Sequence, residues 1–347
     1  MCEFFIFFLK AMDTFTHIVL GACIGEAIAG KQLGKKALVI GALAQNIPDI
    51  DILASFSLPV SADVLAHRGF THSILFAILV TPILAWCSVK LFRQNEISFR
   101  KWALFWALQI LIHIFIDAFN AYGTGWFEPF SHYRVSFNTM FVADPLFTLW
   151  PALAMAALLI LKVTSKKRMS WVKAGLGLSG LYLVAGIGFK LFIDNAVHRE
   201  IRDKCIAAEG YFTTPTPLNN LLWYVVVKTD SGYNTGYRSV FDSRSNIDLY
   251  YVRRNDSLLK PDAGQKDVGQ LLRFSRGYYT VDKWHDTLVF NDLYFGEMLG
   301  WTGSQPRFVF HYFLTQPSGN KLIVQRGRFA GWNKVTLTAF FRRMRGI

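Results

Sequence analysis

Apolar positions in the first half of the chain come as long blocks, with neither the stripe of an amphipathic helix nor the alternation of a half-buried strand. Residues 73–92, 102–119 and 146–161 each read as a membrane span, and the Gly-rich block 174–193 is long enough as well. Two earlier blocks, 18–29 and 37–47, fall short of the ~20 residues a straight span needs. They read as half-helices or re-entrant helices packed inside the bundle. Residues 1–11, MCEFFIFFLKA, are apolar but too short to span, and Met12 opens a more natural start; this segment reads as an upstream start or an extension.

From about Asn195 the texture changes. Runs of strand length rich in β-branched and aromatic residues lie at 221–228, 233–241, 247–253, 270–280, 307–315 and 321–327. Turn signals such as Asp230-Ser231-Gly232 and Pro317-Ser318-Gly319-Asn320 divide them. The expected fold is an α-helical membrane domain over 12–193, with four spanning helices and two short N-terminal ones. A mostly antiparallel β domain outside the membrane follows over 195–347.

Composition agrees. The chain is 52% hydrophobic and 18% charged, which excludes a disordered chain and is too apolar for an ordinary soluble enzyme. The net charge of +13 invites a nucleic-acid reading, but it is spread over both halves: residues 1–193 carry 16 Lys/Arg against 10 Asp/Glu, and residues 194–347 carry 21 against 14. No basic-aromatic motif accompanies it, so no nucleic-acid partner is expected. Cys2, Cys23, Cys87 and Cys205 form neither a disulfide framework nor a CxxC knuckle.

Loop charge orients the helices. Lys31, Lys35 and Lys36 separate the two short blocks, Lys90, Arg93, Arg100 and Lys101 separate the first two spans, and Lys162, Lys166, Lys167, Arg168 and Lys173 precede the last. By the positive-inside rule these loops are cytoplasmic. The 48–68 and 120–144 connections and the β domain then fall on the outer face.

The same topology gathers the ionisable residues. Asp13 and His17 stand four apart at a helix start, Asp49 and Asp51 form Pro-Asp-Ile-Asp, and His67 to Ser73 reads HRGFTHS. His113 and Asp117 are again four apart. Ionisable groups in apolar segments are costly and need partners. Nitrogen and oxygen donors converging at one depth meet the needs of a divalent cation, and an HxxxD pair puts two donors on one helix face. Each residue alone has a plainer reading: an interfacial histidine for His17, a turn or cap for Asp49 and Asp51, a helix-joining pair for His113 with Asp117, and a snorkelling side chain for Arg68. Asp144 before Pro145 reads as a helix start, Ser131 to Arg134 as surface loop, and His198, His285 and His311 as ordinary histidines.

Over residues 12–160, the order of His17, Pro48-Asp49-Ile50-Asp51, His67-Arg68-Gly69-Phe70-Thr71-His72-Ser73 and His113-Ile114-Phe115-Ile116-Asp117 resembles the bacterial membrane-bound, metal-dependent hydrolases. These are also called the LexA-binding, inner-membrane-associated hydrolase family. The resemblance implies an inner-membrane helical protein with a divalent-metal hydrolase site, distantly similar to zinc-dependent phospholipase C and P1-type nucleases. The dense Trp/His/Glu ligand set of those soluble enzymes is absent.

The expectation is therefore a hydrolase at the outer membrane interface. His17, Asp49, Asp51, His67, His72, His113 and Asp117 are the candidate ligands of one or two ions, Zn²⁺ first, with Mn²⁺ or Fe²⁺ as alternatives. Seven donors exceed one tetrahedral site, so either two ions bind or some donors support the others. Asp49 or Asp51 is the candidate general base, and Arg68 the candidate partner of a substrate oxyanion. The depth of the site favours a lipid or lipid-linked phosphoester. Two rival classes use the same residues: a metal-ion binding or transport protein, and a non-catalytic membrane anchor for the β domain.

Overall fold

The computed structural model describes residues 2–244, 246–262, 265–303, 307–314 and 331–347. The expected strand at 321–327 and the turn at 317–320 lie outside these residues.

The chain opens with a 32-residue helix, α1 (Cys2–Leu33), and turns back into α2 (Lys36–Gln45). Residues 2–11 are thus the first turns of the same helix as the expected short block. The two helices approach closely because small residues face each other. A Cβ on Gly21 would lie 2.3 Å from the Gly41 carbonyl oxygen, and one on Gly25 would lie 2.2 Å from that of Ala37. Small residues four apart are the usual means by which membrane helices touch backbone to backbone. At Pro48 the chain bends by 57° into a 3₁₀ segment, Pro48–Phe56, since proline has no N–H to continue the helix.

A short helix, α3 (Val60–Ala66), leads to the HRGFTHS turn and then to α4 (Ile74–Leu91) and α5 (Phe99–Asp117). After an irregular loop come α6 (Pro145–Ile160) and α7 (Lys167–Asp203). Among the described residues α4, α5 and α7 are long and apolar enough to cross a membrane; α2 with the bent segment after it would make a fourth. The expected span at 146–161 is a 16-residue helix. At 1.5 Å per residue it rises about 24 Å, short of a ~30 Å hydrocarbon core. Ile78, Leu79, Ile83, Leu104, Leu153 and Leu181 are exposed, as lipid-facing side chains would be.

The basic loops meet at one end of the bundle. Lys101 Nζ donates to Gln32 Oε1 (2.9 Å), Asn95 Nδ2 to Gln32 O (3.0 Å), and Lys35 Nζ to Leu159 O. Arg168, one of the cluster before the last span, turns inward and grips buried Glu26 through two nitrogens at 2.6 and 2.7 Å.

Helix α7 runs past residue 193 to Asp203, so the β texture begins at β1 (Gly210–Pro215). β1 pairs with β2 (Leu222–Lys228), β3 (Gly232–Ser239) and β4 (Leu249–Arg253) in order, all antiparallel. A second antiparallel sheet holds β5 (Tyr279–Trp284), β6 (Thr287–Glu297) and β7 (Phe308–Phe313). The expected strand at 270–280 instead begins in the second half of α8 (Lys266–Phe274), passes through a turn and reaches β5 only at Tyr279. The buried residues of that helix, Val268, Leu271 and Phe274, recur every third position, and a short apolar run cannot by itself separate helix from strand. A last helix, α9 (Lys334–Met344), caps the sheets with Phe340.

β2 is buried on both faces. Trp223, Val225 and Val227 pack on Ile193 and Val197 of α7, while Leu222, Tyr224 and Val226 share a core with Leu293 and Phe308 of the second sheet. That second sheet and α8 lie against α3 through Val60, Val64 and Leu65. Ser61 Oγ donates to Asp267 Oδ1 (2.6 Å), and Arg276 Nη2 donates to the Tyr122 carbonyl (2.6 Å). The β domain therefore sits on the end of the bundle opposite the basic loops.

Candidate metal centre

Three elements deliver four donors to one point. Asp49 comes from the 3₁₀ segment after Pro48, His72 from the turn before α4, and His113 and Asp117 from the last turns of α5. His72 Nε2 lies 3.1 Å from His113 Nε2, 3.5 Å from Asp49 Oδ1 and 3.4 Å from Asp117 Oδ2. His113 Nε2 lies 3.5 Å from both carboxylate oxygens. His72, His113 and Asp117 are buried, while the Asp49 side chain is 25% exposed at the edge.

The HRGFTHS turn assigns a task to each residue. His67 Nδ1 faces Asp51 Oδ1 at 3.2 Å. Arg68 has φ +57° and sends its side chain inward to 1% exposure. Gly69 is needed because a Cβ there would lie 2.9 Å from the Ala66 carbonyl oxygen. Phe70 is exposed, Thr71 Oγ1 lies between Asp51 Oδ2 (3.2 Å) and His72 Nδ1 (3.1 Å), His72 joins the cluster, and Ser73 caps α4. Asp51 also accepts the Arg68 backbone N–H at 2.7 Å, so both of its oxygens are engaged.

Arg68 meets Asp13 Oδ2 through Nη2 (2.6 Å), Asn120 Oδ1 through Nη1 (2.8 Å) and Asp117 Oδ2 through Nε (3.0 Å). Burial works against its charge, but the carboxylates of Asp117 and Asp13 outweigh burial and hold its pKa above the ordinary value. Arg68 is thus paired with two carboxylates and an amide inside the protein, and its guanidinium does not face solvent. His17 Nε2 faces the other oxygen of Asp117 at 3.1 Å, and its ring stacks on His113 at 3.8 Å.

The seven candidate ligands thus separate by place. Asp49, His72, His113 and Asp117 form the centre, His17 stands behind Asp117, and Asp51 with His67 forms a pair at the rim. Asp13, His17 and Asp117 make a second group able to offer ligand atoms within 4.8 Å of one another. Spacing flagged Asp13 through its place four residues before His17. Nothing local flagged Asn120, which reaches Arg68 from a loop 52 residues away.

The electrostatics favour added positive charge. Burial opposes protonation of His72, yet Asp117 and Asp49 more than offset it and raise its pKa. Asp117 Oδ2 is buried and, apart from its ion-pair contact with Arg68 Nε, has no hydrogen-bond partner. Asp144 caps α6, accepting from the backbone of Leu146 and Phe147, as its place before Pro145 implied. Arg134 is a buried brace that donates to the carbonyls of Leu65 and His67, both at 2.7 Å, rather than a surface-loop residue.

Comparison with known proteins bears on the same region. The chain is 29% identical over 232 residues to the uncharacterized protein YfhP of Bacillus subtilis (strain 168), an alignment covering 65% of this chain and 68% of that protein. It is 34% identical over 122 residues to the inner membrane protein YbcI of Escherichia coli (strain K12), covering 34% of this chain and 68% of that one. No solved structure matches it. The family model for the YdjM inner membrane protein matches residues 12–192, which hold every residue of the His/Asp cluster. This chain belongs to the YdjM inner membrane protein family.

Proposed function

We propose that the protein is a membrane-embedded hydrolase that works with one divalent ion held by Asp49, His72, His113 and Asp117. The spacing of these four donors carries the reading. Zinc bonds of ~2.0–2.1 Å in a tetrahedron set neighbouring donors about 3.3–3.4 Å apart, and the five separations above run from 3.1 to 3.5 Å. An octahedral ion at ~2.1 Å would draw adjacent donors to about 3.0 Å. Zn²⁺ is therefore preferred over Mn²⁺ or Fe²⁺. Asp117 Oδ2, which meets Arg68 Nε at 3.0 Å but accepts no hydrogen bond, keeps a lone pair for the ion and supports the fit.

A divalent ion there supplies Lewis acidity and a water acidified toward ~7. The chain's own residues supply the rest. His67 is the general base: Asp51 accepts from Nδ1–H and leaves Nε2 free to take a proton. The His67 side chain is 36% exposed, and its ring lies 6.3 Å from that of His72. Asp51 orients and charges that imidazole and is not itself the base. His17 fixes the rotamer of Asp117.

The substrate class follows from the surroundings. Ile50, Leu53, Phe56 and Phe70, on the segments that carry Asp49, Asp51 and His72, are exposed and apolar. With the basic loops at the opposite end, positive-inside orientation puts the cluster and the β domain on the outer face. A lipid or lipid-linked phosphoester at the periplasmic surface fits that depth. Metal content of detergent-purified protein, followed by phosphoester hydrolysis in mixed micelles, tests the reading. Wild type should carry zinc and turn over, and His72→Ala should lose both while inserting normally. Turnover preserved in His72→Ala would overturn it.

A further inference from the structure

The inference rests on the metal reading above and concerns why two donor groups share Asp117. A carboxylate common to two clusters is the plan of a two-ion site, where ions sit ~3.5–4 Å apart. The second group here is Asp13, His17 and Asp117. One donor of that group, however, already faces a cation: Arg68 Nη2 lies 2.6 Å from Asp13 Oδ2, while Nε reaches Asp117 Oδ2, the oxygen of the first centre, at 3.0 Å. An ion on Asp13 Oδ2 would need a bond of ~2.0–2.2 Å, so ion and guanidinium compete for that oxygen. We propose that Arg68 is a built-in cation filling the second metal position, so that the centre holds one divalent ion and Asp117 bridges it to the guanidinium.

Backbone and charge agree with this role. Arg68 is a non-glycine residue with φ +57°, held there by its N–H on Asp51 Oδ2 (2.7 Å) and by Gly125 N–H on its carbonyl (2.9 Å). Such a conformation is unfavourable for a residue with a side chain and persists where its surroundings enforce it; here it drives a long cationic side chain into the protein. Asp13, Asp49, Asp51 and Asp117 bring four negative charges. One guanidinium and one divalent ion leave a single negative charge, at Asp51, which lies at the rim beside the partly exposed His67. A second divalent ion would leave buried positive charge unbalanced. Arg68 is on this account a positioning residue, not a substrate ligand.

Zn²⁺ binding to detergent-purified full-length protein, read by mass spectrometry after repletion and gel filtration, tests the proposal. Wild type should saturate at one equivalent. Arg68→Gly, which takes φ +57° without strain, should rise to two, and Arg68→Gly with Asp13→Asn should return to one. Mn²⁺-loaded samples add a spectroscopic readout: an isolated-ion EPR signal in wild type and a spin-coupled one in Arg68→Gly. Two equivalents in wild type, or one in both wild type and Arg68→Gly, would overturn the inference and leave the metal centre standing. Should Arg68→Gly fail to fold, Asp13→Asn alone decides: it should keep the one equivalent, and its loss would mean that Asp13 is a ligand. No zinc in repleted wild type would instead overturn the metal reading, and this inference with it.

Discussion

Asp117 in the membrane domain and Glu297 in the β domain are both buried carboxylates, but their neighbours differ in kind. Asp117 faces three imidazoles and a guanidinium, all of which bring positive charge or lone pairs. Glu297 faces neutral donors: Tyr224 Oη at 3.2 Å on Oε1, with Tyr237 Oη at 3.2 Å and Tyr250 Oη on Oε2. Burial pushes the Glu297 carboxyl up, and the hydroxyls of Tyr250, Thr235, Tyr224 and Tyr237 offset that only in part. It lines a cleft between the β domain and residues 140–142, walled by Tyr294 and Trp301. Burial alone thus does not mark a cation site. What distinguishes the first cluster is acceptors converging on acceptors, an arrangement that only a cation or a proton relieves.

The sharpest way to break the comparison is to remove one acceptor from the first cluster. His113→Ala should lower zinc affinity by more than ~100-fold, since changes outside the ligand shell alone cost 10–100-fold; competition with a chromophoric chelator measures it. His67→Gln should leave zinc content unchanged while cutting turnover ~10²-fold or more, as expected for loss of a general base. Equal metal loss in His67→Gln would place His67 among the ligands instead. Glu297→Ala leaves three tyrosine hydroxyls without their acceptor and should destabilise the protein by about 2 kcal/mol, read by thermal melting, with zinc stoichiometry untouched. Glu297→Gln, which keeps an acceptor, should cost less than ~1 kcal/mol.

A separate effect is a pH dependence in the β domain. Burial pushes the Asp292 carboxyl from 3.8 to about 7, only partly offset by the Tyr294 N–H and Arg276. A raised carboxyl favours the protonated folded form. Its contribution to stability is complete below pH 4 and is lost as pH rises through about 7. The melting temperature of wild type relative to Asp292→Asn should therefore fall between pH 5 and 8, and a constant difference would refute the assignment.

Much of this was legible along the chain. Pro-Asp-Ile-Asp, HRGFTHS and the His113/Asp117 pair stand out because ionisable groups amid apolar residues are rare and costly. The first sheet's strands β2 to β4 declared themselves by their β-branched and aromatic runs. Less visible were β6, where Asn291-Asp292 breaks the apolar run, and α8, whose apolar residues fit either period. The Gly21, Gly25 and Gly41 contacts were hidden because a glycine's packing partner is not written beside it.

The sequence by itself determined that the first half lies in a membrane, that basic loops and ionisable clusters segregate to opposite ends, and which residues carry candidate chemistry. Transfer free energy and charge placement are properties of residue type and spacing, so they survive without coordinates. Only the tertiary structure decided that four of the seven candidate ligands converge, that Asp51 turns to His67, and that Arg68 faces Asp13, Asp117 and Asn120. Those outcomes depend on one left-handed backbone angle at Arg68 and on contacts between residues up to about a hundred positions apart. Such contacts are set by how helices pack, and packing leaves no local pattern in the chain.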